Sequence, residues 1–403
     1  MSHFVVIGAG QAGASLVAKL RKDGFEGQIT LIGGEAVPPY QRPPLSKAYL
    51  LGEMEQERLF LRPESFYAEQ NITLRTSTWV NGIDTDSKTI QIGDEEIAYD
   101  QLALTTGSVP RRLPAAIGGD LEGVFVVRDL ADVDAMAPAV VPGARVLIVG
   151  GGYIGLEAAA VCAKRGLDVT LVEMADRILQ RVAAPETSDY FRALHTGHGV
   201  KILEATGLDR LTGADGKVTG ATLSDGSELA VDFVVVGVGI APATDLAEMA
   251  GLELENGIKV DAQGRTSDPS IWAAGDCASF PYQGRRIRLE SVPNAIDQAE
   301  VVAQNMMGAG KDYTAQPWFW SDQYDVKLQI AGLNVGFDTV VTRAGEGATQ
   351  SFWYYAGDQL LAVDAMNDPR AYMVAKRLID GGKTADKSVV ADASADLKPL
   401  LRA

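Results

Sequence analysis

The sequence is poor in the residues that carry most independent catalytic and metal chemistry. Of its 403 residues only two are cysteines, Cys162 and Cys277, far apart and in no C-x-x-C spacing. That excludes a disulfide scaffold and a cysteine-rich zinc site, and it favours a reducing compartment, the cytoplasm. Three histidines occur, and the one close pair, His195-Thr-Gly-His198, reads as a solvated turn with no acidic ligand at metal-binding spacing. No metal site is expected. Basic residues are also short: 36 Lys and Arg face 53 Asp and Glu, for a net charge of −17. A general nucleic-acid surface is thereby disfavoured, because phosphate binding needs a basic footprint, although a local basic patch is not excluded. No uncharged apolar stretch is long enough to span a bilayer. The charge-free start lacks a basic n-region, and Gly8, Gly10 and Gly13 interrupt it, so it reads as strand, turn and helix rather than an export signal. What remains is ordinary soluble globular composition, 46% hydrophobic and 22% charged, at a length that suits two or three domains.

Glycine, by contrast, is plentiful at 43 residues, and much of it falls in two copies of one unit. The first is Phe4-Val-Val-Ile-Gly-Ala-Gly-Gln-Ala-Gly13, a buried-strand run entering G-x-G-x-x-G, then a helical stretch to Lys22 and a second strand, Ile29 to Ile32, leading to Glu35. The second is Arg145-Val-Leu-Ile-Val-Gly150-Gly-Gly152-Tyr-Ile-Gly155, then a helix through Ala160 and a strand from Val169 ending at Glu173. The spacing has a chemical reason. The first glycine permits the tight turn, the second lets backbone N–H groups approach a pyrophosphate, and the third lets helix and strand pack closely. The helix N-terminus adds partial positive charge, and the acid accepts from a ribose hydroxyl. One such motif is weak evidence; two, each between strand and helix with an acid at the right distance, are strong. Two dinucleotides in one chain suggest a flavin and a nicotinamide. Glu173 would repel a 2′-phosphate and no arginine adjoins it, so NADH is favoured over NADPH.

The second unit reads as inserted into the first. The expected fold is α/β, with two Rossmann-like dinucleotide-binding domains (FAD and NAD) and a smaller C-terminal α+β domain. The expected boundaries are 1–109 with 240–316 for the FAD-binding domain, 110–239 for the NAD-binding domain and 317–403 for the C-terminal domain. In that last part the pattern predicts strands at Lys327 to Ile330, Ser351 to Tyr355 and Leu360 to Val363, then a helix from Arg370 to Ile379. Thr266 to Asp276 runs a short strand into a Gly-Asp, where the acid can bond a ribityl hydroxyl or merely cap a helix.

Four further segments carry a resemblance: Pro43-Pro-Leu-Ser-Lys-Ala-Tyr-Leu50, Gly150-Gly-Gly-Tyr-Ile-Gly-Leu-Glu157, Glu290-Ser-Val-Pro-Asn-Ala295 and Pro317-Trp-Phe-Trp-Ser-Asp-Gln-Tyr324. With them the chain resembles, over nearly its whole length, the bacterial FAD-dependent NADH:ferredoxin reductases of the putidaredoxin reductase type. These are similar to glutathione reductase in fold but lack its redox disulfide. The resemblance implies that Gly8, Gly10, Ala12 and Gly13 hold the FAD pyrophosphate, Glu35 its adenosine ribose, Val80 its adenine end and Arg128 its pyrophosphate. It places Lys47 beside the reactive edge of the isoalloxazine, Asp276 on the ribityl chain and Val292 near the ring, with Trp320 as a flavin-gate aromatic. For NADH it implies Gly152, Ile154 and Gly155 under the pyrophosphate, Glu173 on the ribose, and Glu157 and Gly239 near the nicotinamide. Lys47 and Glu157 are the implied catalytic pair, a cation beside the reduced flavin and the carboxylate that holds it. On their own evidence Val80 and Val292 read as core residues, Lys47 as a solvated helix-start lysine and Glu157 as a complement to the helix dipole.

The implied activity is electron transport from NADH through FAD, singly, to an acidic 2Fe-2S ferredoxin that serves a monooxygenase or dioxygenase. The alternatives are a flavoprotein similar to apoptosis-inducing factor or an NADH oxidase, the latter a cysteine chemistry for which the segment Arg42-Pro-Pro-Leu-Ser-Lys47 has no cysteine. No membrane or nucleic-acid partner is expected, and the chain should be a monomer or weak dimer. An acidic ferredoxin docking near the flavin edge would need a local basic patch, for which Arg58, Arg62, Arg285, Arg286 and Arg288 are candidates.

Overall fold

The computed structural model describes residues 2–402. They form two compact units, one of Met1–Arg42, Glu55–Val109 and Ile240–Pro317, the other of Pro43–Met54, Pro110–Gly239 and Trp318–Ala403.

In the first unit the apolar run of the strand His3–Ile7 sits at the centre of a five-stranded parallel sheet. The sheet order is Ile271–Ala273, Gln101–Leu104, His3–Ile7, Gln28–Ile32 and Ile72–Arg75. Central parallel strands are covered on both faces, which is why the run shows no polar alternation. Phe4 and Val6 enter one core with Leu16 and Leu20 of the helix Gln11–Lys22 and Val302 of the helix Val292–Met306. Val5 and Ile7 enter another, with Ile83 and Ile90 from a small antiparallel sheet. Lys19, Arg21 and Lys22 close the Gln11–Lys22 helix where its dipole favours cations.

The second unit repeats the plan. Its parallel order is Lys201–Leu203, Asp168–Val172, Arg145–Val149, Phe233–Val236 and Val124–Phe125. The helix Tyr153–Lys164 is buried from Gly155 to Cys162. Leu147 and Val149 pack into a core shared with Val218 and Leu223 of an antiparallel hairpin. The C-terminal part is an antiparallel sheet ordered Trp318–Gln323, Val326–Gly332, Gln359–Met366, Gln350–Ala356 and Thr339–Ala344, with the helix Pro369–Asp380 packed on it. Two of its strands, Trp318–Gln323 and Thr339–Ala344, lie outside the expected three. Tryptophans crowd the first, and the second is half-exposed, so neither shows clean alternation.

The histidine pair is not a solvated turn. His195 is fully buried near the end of the helix Pro185–Gly197, and only His198 is exposed. The apolar face of that helix, with Phe191 buried beside it in sequence register, overrides the polar character of the Thr-Gly between them.

Candidate active site

Both glycine motifs divide into glycines the chain itself requires and one it does not. Gly8 has φ +111°, and a Cβ there would lie 2.2 Å from the Thr105 carbonyl oxygen. A Cβ on Gly13 would lie 2.0 Å from the Gly8 carbonyl oxygen. Thr105 Oγ1 donates to that same carbonyl at 2.8 Å and locks the turn. Gly10, the helix N-cap, is different: its φ of −91° suits any residue, and a Cβ would meet nothing within 4 Å. In the second unit Gly150 has φ +107° and approaches the Gly237 carbonyl oxygen, while a Cβ on Gly155 would lie 2.0 Å from the Gly150 carbonyl oxygen. Gly152, again the N-cap, has φ −81° and open space. Neither N-cap carries a side-chain cap, so the first-turn N–H groups of both helices face that space. This is the shape and polarity a pyrophosphate fits.

The acids at the strand tips are both engaged. Glu35 accepts from Tyr40 Oη and pairs with Arg42, a cation that the motif reading did not anticipate. Glu173 accepts from the backbone N–H of Gly151 at 2.7 Å and of Ala175 at 2.8 Å, which ties it to the glycine loop. Asp276 accepts from Ser108 Oγ at 2.9 Å, and its backbone carbonyl accepts from Arg288 Nη1 at 3.1 Å. Ala12 is buried in the first turn of its helix, 3.1 Å from where a Gly275 Cβ would stand. Val80 is half-buried against the core that holds Ile7 and Ile32. Val292 opens its helix behind the Ser291 cap. Arg128 precedes the Asp129–Asp132 capping box, its backbone N–H donating to Asp132 at 3.0 Å. Ile154 is 45% exposed, and Gly239, at φ +97°, has Arg181 Nη2 3.6 Å from its missing Cβ.

Lys47 and Glu157 meet. Lys47 sits at a break in the helical turns of Leu45–Tyr49, with Nζ 3.1 Å from Glu157 Oε1 and 3.6 Å from Asp322 Oδ2. Glu157 is only 4% exposed; it accepts from Ser46 Oγ at 2.9 Å and from Ser321 Oγ at 2.7 Å. Burial pushes its carboxyl above the ordinary range, and Lys47, Ser321 and Ser46 pull against that push. Lys47 is thus no solvated lysine, and Glu157 does more than face a dipole. Ser46, Ser321 and Asp322 were not singled out from the sequence, although all three lie inside the segments that carry the resemblance. Trp320 is half-buried on the same strand as Ser321, its ring 5.6 Å from that of Trp318.

Both cysteines are buried and free. Burial pushes the Cys162 thiol up to about 12 and raises that of Cys277 as well, the opposite of what a redox-active thiolate needs. Two of the three arginines of the 285–288 run are engaged within the fold, while Arg285 is exposed. Arg286 donates to the carbonyls of Val260 and Ser279 and pairs with Glu255, and Arg288 pairs with Glu290 and bonds the carbonyls of Asn256 and Asp276. Val260, Glu255 and Asn256 are remote in sequence, so adjacency along the chain does not show these bonds.

Residues 2–299 match the pyridine nucleotide-disulphide oxidoreductase family, and residues 318–401 match the reductase C-terminal family. The chain is 42% identical to rhodocoxin reductase of Rhodococcus erythropolis, over 98% of this chain and 93% of that one. It is 40% identical to putidaredoxin reductase of Pseudomonas putida, over 100% and 97%. The chain belongs to the putidaredoxin reductase-like ferredoxin reductases. Among solved structures, the covalent putidaredoxin reductase–putidaredoxin complex superposes with a TM-score of 0.96 at 39% identity, covering 100% of this chain and 98% of that one. Proteins of this family are oxidoreductases that use FAD and NAD(H). The mixed α/β fold with dinucleotide-binding domains and a C-terminal domain is the family's own. Among the described residues no helix is long and apolar enough to cross a membrane, and no cluster of His, Cys, Asp and Glu could hold a metal ion.

Proposed function

We propose that this chain is an NADH:ferredoxin reductase that passes electrons singly to a 2Fe-2S ferredoxin serving a monooxygenase or dioxygenase. The observation that carries the reading is the pair of open N-cap glycines, Gly10 and Gly152, each at a conformation that any residue could adopt. No neighbouring atom requires glycine there beyond its general N-cap preference, and the open space admits close approach of a phosphate.

In this reading 1–109 with 240–316 is the FAD-binding domain, 110–239 the NAD-binding domain and 317–403 the C-terminal domain. Gly8, Gly10, Ala12 and Gly13 hold the FAD pyrophosphate, Glu35 a ribose and Asp276 the ribityl chain. Val80, Arg128, Val292 and Trp320 are its remaining proposed contacts. Gly152, Ile154, Gly155, Glu173 and Gly239 hold NADH. When bound, FAD supplies the conversion between a two-electron hydride donor and a one-electron acceptor. Lys47 holds positive charge at Nζ for the electrons the cofactor takes up, and Glu157 fixes where that charge sits. In this reading the chain is cytoplasmic and a monomer or weak dimer.

The test is direct. Purified protein should be yellow, with non-covalent FAD, and should be bleached anaerobically by NADH and recoloured by oxidised ferredoxin. A colourless protein that takes up no flavin on reconstitution would sink the reading.

A further inference from the structure

Ser321, which donates to Glu157, is itself the end of a longer buried chain. Gln323 Nε2 lies 3.2 Å from Ser321 Oγ, Gln323 Oε1 lies 2.7 Å from His195 Nε2, and His195 Nδ1 lies 3.2 Å from Tyr324 Oη. Ser321, Gln323 and His195 are all fully buried, and the strand's period-two alternation is what turns Ser321 and Gln323 inward. The outer end is the Tyr324 ring, which stacks on exposed His198 at 3.7 Å.

Valence fixes the direction of every link. An ionised carboxylate only accepts, so Ser321 must spend its one proton on Glu157. Its oxygen can then only accept from Gln323, which must present its amide N–H to it and its carbonyl to His195. His195 must therefore carry its proton on Nε2, and a neutral ring leaves Nδ1 to accept from Tyr324. Every donor in the chain points at Glu157. Such chains polarise one another, and the last bond, to a charge, is the strong one.

We propose that Tyr324, His195, Gln323 and Ser321 are positioning residues: a one-way hydrogen-bonded chain that keeps Glu157 ionised in a buried site and so holds the Lys47 ammonium in place. The proposal rests on the reading of Lys47 as the cation that serves the flavin. Around Glu157 the charged and polar groups are Lys47, Ser46 and Ser321, with Asp322 on Lys47. Around His195 they are Gln323, Tyr324 and His198, and burial holds the His195 ring down to about 4, so it stays neutral at physiological pH. The buried thiol of Cys162, which the Tyr324 hydroxyl senses, stays neutral as well.

Two readouts on the full FAD-bound protein test this without turnover. With only three histidines, ¹⁵N-histidine NMR resolves the ring of His195, and it should be the neutral Nε2–H form from about pH 6 to about pH 8. A charged ring or the Nδ1–H form overturns the chain. Infrared titration of ¹³C-glutamate-labelled protein, with Glu157→Gln to assign the band, reads Glu157 itself. His195→Leu should raise its midpoint by about one pH unit, a tenfold gain in proton affinity. His195→Gln, whose amide N–H can replace the Nε2–H, should restore the wild-type midpoint. Should the leucine variant fail to fold, Gln323→Met breaks the chain one link nearer and should give the same rise. An unchanged midpoint in either broken chain overturns the proposal. A protein that shows the tautomer and the shift but passes no electrons refutes the reductase reading and leaves the chain standing.

Discussion

If the glycines divide as described, alanine substitutions at Gly152 and Gly155 should fail in opposite ways. A Cβ at Gly155 would stand 2.0 Å from the Gly150 carbonyl oxygen, well inside any real contact, and the obstacle is backbone that cannot swing aside. Helix and strand must separate, which costs about 1–3 kcal/mol or more. The roughly 1 kcal/mol alanine gains in a helix interior does not offset that. A Cβ at Gly152 meets nothing within 4 Å. There the entropy lost from the unfolded chain favours alanine by about 0.4–1 kcal/mol. Loss of an N-cap preference opposes it by a similar amount, so folding should change by less than about 1 kcal/mol. The new methyl does, however, stand where a phosphate would approach. A displaced charge-assisted hydrogen bond at roughly 1.5–3 kcal/mol corresponds to about ten- to hundredfold weaker NADH binding. Urea unfolding and anaerobic NADH titration of the two variants separate these effects. Wild-type NADH affinity in Gly152→Ala, or wild-type stability in Gly155→Ala, would show that the two glycines do not differ in this way.

Three further outcomes are expected. NADH should be preferred over NADPH: two like charges about 4 Å apart at intermediate dielectric differ by roughly 4 kcal/mol, reduced at a half-exposed Glu173 to about a tenfold to thirtyfold preference, and equal kcat/KM values would contradict it. Asp364 is fully buried, and desolvation raises its carboxyl to about 6 despite bonds from Tyr354 and Thr187. The native state therefore holds this proton more tightly than the unfolded one, and stability falls as pH rises from about 4 to about 6, by up to roughly 3 kcal/mol. Asp364→Asn should remove that slope, and a urea-unfolding difference from wild type that does not vary with pH would count against it. Arg288→Ala should lower the melting temperature and FAD occupancy through the lost bond to the Asp276 carbonyl at 3.1 Å, and unaltered FAD affinity would show that this bond does not support the site.

The two nucleotide-binding plans were legible because glycine, strand and helix signals there are local and agree with one another. Phe4 to Ile7 and Arg145 to Val149 read as buried parallel strands, and the sheets place them there. The surroundings of Glu157 were not legible in the same way. Ser46 and Ser321 reach it from segments more than a hundred residues away in sequence, His195 connects to it only through Gln323 and Ser321, and no spacing rule links them. Arg286 and Arg288 show the converse: adjacency with Arg285 suggests a surface patch, while the carbonyl partners of these two are set by tertiary structure.

Electrons from NADH should pass through a flavin on this chain to a ferredoxin. Anaerobic stopped-flow mixing of the NADH-reduced, FAD-bound protein with excess oxidised 2Fe-2S ferredoxin tests it most directly. The oxidised flavin absorbance should return on mixing, with two ferredoxins reduced for each NADH consumed. A flavin that NADH reduces but that only oxygen re-oxidises, across a panel of purified ferredoxins, would contradict it.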